Sequence, residues 1–187
     1  MTLQPELFHG PLPSVAGKYS GSLLIVGPGW SLLEDLKQWD GKGHVMAVNA
    51  VGMHLQRFEH WYTTHPEFLR AWRDVRTMYF DEPDSAMVHC KQGGIVGTPW
   101  PIIGRYAGLS GESAAVVGCA LGYDEITLAG IPADGGGHYY PAPIENGWTT
   151  PYDHGQTDAI ARWEWLRDNY FMGRVKSLSG KTRDILC

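Results

Sequence analysis

Residues 22–36, SLLIVGPGWSLLEDL, decide the fold. Leu23 to Val26 run apolar without a polar break, the pattern of a strand buried on both faces of a parallel sheet. Gly27-Pro28-Gly29 ends that strand. Ser31 is placed to cap the helix that follows, and Leu32, Leu33 and Leu36 give it an apolar stripe. A strand, a glycine turn and a helix N-terminus together aim free backbone N–H groups at one point, an arrangement that receives an anion, usually a phosphate. Gly27, Gly29 and Ser31 are therefore candidate ligand-binding residues. The segment lacks the third glycine of GxGxxG and the lysine of a Walker loop, so an ordinary tight turn accounts for it equally well.

Outward from this unit the chain alternates. His44 to Val48 predicts a second strand, ending at Asn49. In open α/β sheets that edge is where ligands bind, so Asn49 is a candidate ligand contact; the competing role is a cap for a helix near Val51. His60 to Thr64 predicts a third strand, and Pro66 opens a helix over PEFLRAWRDV. RTMYFDE and AMVHC read as short strands, and KQGGIVGTPWPIIG as loop, because it is dense in Gly and Pro. Ser110 is placed to cap a helix whose buried face carries Ser113, Val116, Val117, Ala120 and Leu121. Its small residues permit close packing on a sheet, Gly122 ends it, and Glu125 to Ala129 is the next strand. Ser110 and Gly111 are candidate binding residues at its start. Residues 132–151 have no periodicity but carry glycines and aromatics, which predicts a lid loop. A helix capped by Thr157 follows, with Ile160, Trp163, Leu166 and Tyr170 near one face. Then come a strand over Arg174 to Leu178 and a terminal helix starting at Ser179. This alternation predicts an α/β domain of three layers with a mostly parallel sheet. No repeat or linker divides it, so residues 1–187 form one domain with an irregular arm over 1–20.

Composition narrows the function. Apolar content of 43% and charged content of 19% fit a soluble globular protein. No apolar run reaches the roughly 18 residues of a membrane helix, so no membrane partner is expected. MTLQPELFHGPLPS lacks the basic start and apolar block of a signal peptide. Cys90, Cys119 and Cys187 have no CxxC spacing and read as free thiols, consistent with a cytoplasmic protein. A formal charge of −5 argues against nonspecific nucleic-acid binding. A homo-oligomer is compatible with all of this.

Five motifs taken together resemble the Rossmann-like domain of bacterial sialyltransferases that use a CMP-sugar. The same likeness extends to motility-accessory glycosyltransferases and pterin-pyrophosphokinase-like proteins. VGPGWSL resembles the family's glycine turn, and VNA its nucleotide-contacting Asn. LSGESAAVVGCALGYDEITLAGI resembles its Ser-Gly helix and following strand. HYY resembles the site of its phosphate-contacting tyrosines, and YDHGQTD the segment of its catalytic histidine. The small size and the terminal SLSGKTRDIL resemble phage-borne members of the group.

The resemblance implies a nucleotide-sugar-dependent glycosyltransferase that works without a metal or any cofactor beyond its donor, a CMP-linked sugar. It implies His154 as general base, Tyr139 and Tyr140 as contacts to the donor phosphate, and Gly27, Gly29, Asn49, Ser110 and Gly111 as the nucleotide site, with Thr150 and Tyr152 nearby. Histidine suits a base near neutral pH, and a departing phosphate needs N–H and O–H donors. The chain departs from the family at Pro28, which removes a side-chain amide and a backbone donor, at Trp30, and at Pro132, with Asp134 two places on. Competing functions are a non-catalytic nucleotide or nucleotide-signal binding protein, a structural protein, and a metal-dependent phosphohydrolase or pyrophosphoryl transferase using Asp134, His138, Asp153 and His154. Those four have no diagnostic metal spacing, and no metal ligand is assigned. His9, His44, His54, His60, His65 and His89 read as structural. Trp39, Trp72, Trp163 and Trp165 read as packing residues, while Trp30 and Trp148 flank the expected site.

Overall fold

The computed structural model describes residues 7–80, 85–91, 97–135, 137, 139 and 156–187. Strand β1 (Ser22–Val26) leads through α1 (Leu32–Leu36) to β2 (His44–Val48), then to β3 (His60–Thr63) and α2 (Leu69–Thr77). Strands β4 (Met87–Lys91) and β5 (Thr98–Trp100), helix α3 (Ser110–Leu121) and strand β6 (Glu125–Ala129) follow. Helix α4 (Gln156–Leu166) runs into a π turn over Arg167–Phe171, then β7 (Val175–Ser177) and α5 (Gly180–Leu186). The seven strands form one sheet in the order β5-β4-β3-β2-β1-β6-β7, and every pair is parallel. This is a Rossmann-like three-layer α/β domain.

The unbroken apolar run of β1 has a direct cause. Leu23 and Ile25 enter one core with α3, α4 and the 7–21 arm; Leu24 and Val26 enter the other with α1 and α2. A period of two buried on both sides leaves no position for a polar residue. Helix α3 lies so deep that every residue from Glu112 to Leu121 is buried. A Cβ at its Gly118 would stand 2.9 Å from Leu23 Cδ2, so the small residues there serve packing on the sheet. Gly122 closes the helix at φ 112°, a left-handed turn that favours glycine.

Several expectations need correction. RTMYFDE is not a strand where described: Arg76 and Thr77 complete α2, and Met78 and Tyr79 are in a turn. The apolar face of Leu69 and Trp72, and the Arg76 guanidinium donating to the Leu55 and Gln56 carbonyls, outweigh the β-like composition. TPW, read as loop, is β5. Pro99 is tolerated because β5 is an edge strand, and Trp100 anchors it fully buried. Neither predicted serine cap forms: the Ser31 side chain makes no cap bond, and Ser110 is the first helical residue, after Leu109. Among the described residues, no helix is long and apolar enough to cross a membrane.

Candidate functional site

Strand order reverses at β1, whose neighbours are β2 and β6. Ligands of such sheets bind outside the carboxyl ends of the strands at this switch. The loops after β1 and β6 meet there and bond to each other. Gly27 N–H donates to the Ala129 carbonyl at 2.8 Å, Gly29 N–H to Gly130 at 2.7 Å, and Trp30 N–H to Gly137 at 3.0 Å. Tyr139 N–H donates to the Pro28 carbonyl at 3.0 Å, and Trp30 Nε1–H to Asp134 Oδ1 at 2.9 Å. The glycines are needed for this contact. A Cβ on Gly27 would overlap Ile131 and stand 2.7 Å from the Gly130 oxygen, and one on Gly29 would stand 2.5 Å from Pro132 Cδ. The amides of Gly27, Gly29 and Trp30 are thus engaged within the protein.

Ser31 faces inward. Its hydroxyl lies 2.9 Å from Asp35 Oδ2, which also accepts from Gly130 N–H at 2.8 Å. Ser179 Oγ lies 2.7 Å from both Ser31 Oγ and Asp35 Oδ2. Ser31 and Asp35 are buried, and this carboxylate ties α1, the end of β6 and the start of α5 together.

The open chemistry sits beside this switch, where β2 and β3 end against α3. Asn49 follows β2 with φ 53°, a left-handed conformation that Asn tolerates better than most residues. Its carbonyl accepts Trp61 Nε1–H at 2.8 Å. Its amide nitrogen lies 2.9 Å from Ser110 Oγ, and its amide oxygen accepts the Thr63 hydroxyl at 3.0 Å. Thr63 Oγ1 in turn accepts His65 N–H at 2.8 Å. Ser110 Oγ and Thr64 Oγ1 are 2.6 Å apart. The directions follow from this chain. Ser110 Oγ accepts from Asn49, and the two hydroxyls of Ser110 and Thr64 share one bond between them. Among the described residues, one hydroxyl hydrogen of the pair is left for an outside acceptor. The first-turn amides of Ser110 and Gly111 have no intrahelical carbonyl to bond, and they carry the positive end of α3.

Glu112, buried in the same turn, accepts Leu109 N–H at 2.9 Å and pairs with Arg162 Nε at 2.8 Å. Burial raises its pKa, while Arg162 and the Leu109 amide pull the other way. Arg162 joins α4 to the start of α3 and offsets the negative charge there.

Asn49, Ser110 and Gly111 therefore come together, as do Gly27, Gly29 and Tyr139. The groups touch across Ile131, which overlaps a Cβ built on Gly27 and lies 2.9 Å from one built on Gly111. The Tyr139 ring meets His54 edge-on at 6.1 Å between centroids, and burial raises its pKa, keeping the phenol protonated. His154, Tyr140, Thr150, Tyr152, His138, Asp153 and Trp148 lie outside the described residues. Thr63, Thr64 and Arg162 were missed by sequence reasoning. Thr64 carried a usable signal, as the predicted last residue of a strand; Arg162, in mid-helix, carried none. Comparison with protein-family models, curated proteins and solved structures finds no match.

Proposed function

We propose that this protein is a nucleotide-sugar-dependent glycosyltransferase whose nucleotide binds at the carboxyl edge of the sheet, over Asn49, Thr64, Ser110 and Gly111. The observation that carries the reading is the Ser110–Thr64 hydroxyl pair at the N-terminus of the twelve-residue α3, which among the described residues keeps one hydroxyl hydrogen uncommitted. Hydroxyl and amide donors meeting at a helix N-terminus suit a phosphate. In the reaction, the acceptor hydroxyl forms a bond to the anomeric carbon as the bond from that carbon to the phosphate oxygen breaks. The nucleotide leaves with the electron pair, and His154 takes the acceptor proton. The family resemblance supports the roles of His154 and Tyr140.

One observation favours a second reading, nucleotide binding without turnover: the amides of the glycine turn are engaged by the β6 loop and by Gly137. A thermal-shift panel with CMP, UMP, AMP, GMP and their diphosphates, with EDTA or Mg²⁺, tests the binding that both share. The expected result is a metal-independent rise with one nucleotide, reduced in Ser110→Ala. The matching nucleotide sugar then separates the two. Release of free nucleotide, lost in His154→Ala, supports transfer, and recovery of unchanged donor supports binding alone. No rise with any nucleotide from folded protein contradicts both.

A further inference from the structure

From the starts of β2 and β3 across to the end of β5, five side chains form a continuous hydrogen-bonded chain. Trp100 Nε1 lies 3.1 Å from His89 Nδ1, His89 Nε2 lies 3.0 Å from His60 Nδ1, His60 Nε2 lies 2.7 Å from the Tyr123 hydroxyl, and that hydroxyl lies 2.5 Å from His44 Nδ1. One end fixes the direction of every bond. An indole nitrogen only donates. His89 therefore accepts at Nδ1 and carries its hydrogen on Nε2, which it gives to His60 Nδ1. His60 gives its Nε2 hydrogen to Tyr123, and Tyr123 gives its hydroxyl hydrogen to His44. With neutral rings, this direction places the hydrogen of each histidine at Nε2.

The chain cannot be reversed. A hydrogen added at His89 Nδ1 would face the Trp100 N–H, and one at His60 Nδ1 would face the His89 N–H. A hydrogen at His44 Nδ1 would face the Tyr123 hydroxyl, whose other neighbour, His60, already donates to it. Protonation of His89 or His60 therefore costs a bond, whereas His44 can reverse its bond to the Tyr123 oxygen. Burial and neighbouring histidines hold His60 near a pKa of about 4 and His89 near about 3.

Over this chain lies Tyr19, from the arm that precedes β1. Its ring stacks on Tyr123 with centroids 5.3 Å apart and meets His60 edge-on at 4.9 Å and His44 at 6.0 Å. The arm is otherwise held here by Gly17 N–H to the Ala120 carbonyl, by Tyr19 N–H to Leu121, and at its end by Gly21, whose N–H donates to the Asp124 carboxylate at 2.7 Å and whose carbonyl accepts the Asp124 and Glu125 amides. The groups facing the chain are Tyr19, the histidines themselves, and Glu59, whose Oε2 is engaged by Val45 N–H at 2.7 Å. Among the described residues, no carboxylate hydrogen-bonds to any ring in the chain to stabilise an imidazolium.

We propose that the Trp100–His89–His60–Tyr123–His44 chain is an acid-sensitive latch for the Gly17–Tyr19 stretch of the N-terminal arm: protonation of His60 or His89 breaks the chain and frees that stretch while the sheet, and the buried Leu7 and Phe8 at the other end of the arm, stay in place. The test has two readouts on the intact protein. In ¹⁵N-histidine NMR at pH 7, all three rings should be neutral Nε2–H tautomers; an Nδ1–H tautomer or an imidazolium at His60 or His89 overturns the proposal. In hydrogen exchange corrected for intrinsic rates, protection of the Gly17 and Tyr19 amides should fall between pH 7 and about pH 4. The fall should be about a hundredfold if opening restores the His60 pKa from about 4 to its ordinary value of 6.5. Amides of Leu24 and Ile25 in β1 should stay protected. Arm protection that is unchanged, or lost together with β1, overturns it. His60→Gln, which keeps a donor and an acceptor but does not titrate, should hold the arm at pH 4; if that variant does not fold, the two wild-type readouts decide.

Discussion

Asn49 concentrates the residue-scale logic of the site. Its left-handed backbone is a cost, and its side chain offsets it by bridging Ser110 and Thr63. Asn49→Ala removes both bonds and leaves an alanine at φ 53°, with an expected loss of about 2–3 kcal/mol. Asn49→Gly removes the same bonds but takes the conformation freely, so it should lose less. Urea denaturation of the two variants separates backbone strain from hydrogen bonding. Gly27 makes a contrasting case. Gly27→Ala drives a methyl group into Ile131 and the Gly130 carbonyl, with an expected cost of about 1–3 kcal/mol in the same measurement. Sequence reasoning selected Gly27 as a glycine that matters. It could not tell that a neighbouring loop, rather than a ligand, is what approaches it, because the approach depends on where β6 ends.

At the scale of elements, Asp35 deserves its burial. One carboxylate oxygen receives Ser31, Gly130 and Ser179, from α1, the end of β6 and the cap of α5. Asp35→Ala strands the Gly130 N–H and leaves Ser31 and Ser179 only each other to bond, with an expected loss of about 3 kcal/mol in thermal or urea unfolding; Asp35→Asn keeps an acceptor and should lose less. The elements themselves were largely legible. Leu23 to Val26, His44 to Val48 and Glu125 to Ala129 gave their strands through apolar runs ending in turn residues. β5 was not legible, since Pro99 excludes a central strand and only the three-dimensional order makes this one an edge. The hydroxyl cluster was half legible: Asn49 and Ser110 stood at predicted junctions, but their pairing spans 61 residues and carries no local signal.

For the whole molecule, pH should govern stability through the buried histidines of the sheet. His60 and His89 are depressed in the folded state from 6.5 to about 4 and about 3, chiefly by burial. Below about pH 6.5 the unfolded chain binds protons that the folded one does not. The stabilisation is therefore complete above pH 6.5 and is lost as pH falls through 4 towards 3, by an amount on the order of a few kcal/mol. Urea midpoints from pH 8 to 4 should be flat at the upper end and fall on the acid side, and a Tm independent of pH across that range would contradict the burial argument. The class of fold was legible at this scale because alternation along the chain reports it directly. The histidine chain was not, since His44, His60 and His89 lie on three different strands or strand ends and each alone reads as an ordinary core residue.

The central claim is that the carboxyl-edge cluster is a nucleotide site. The most direct measurement is a ¹H–¹⁵N NMR titration with the nucleotide that gives the largest thermal shift, beginning with CMP. The account predicts saturable shifts at the Ser110 and Gly111 backbone amides and the Asn49 side-chain amide, lost in Ser110→Ala. Saturable binding that moves other signals and leaves those three unchanged, or no saturable shift with any of the four monophosphates, would contradict it.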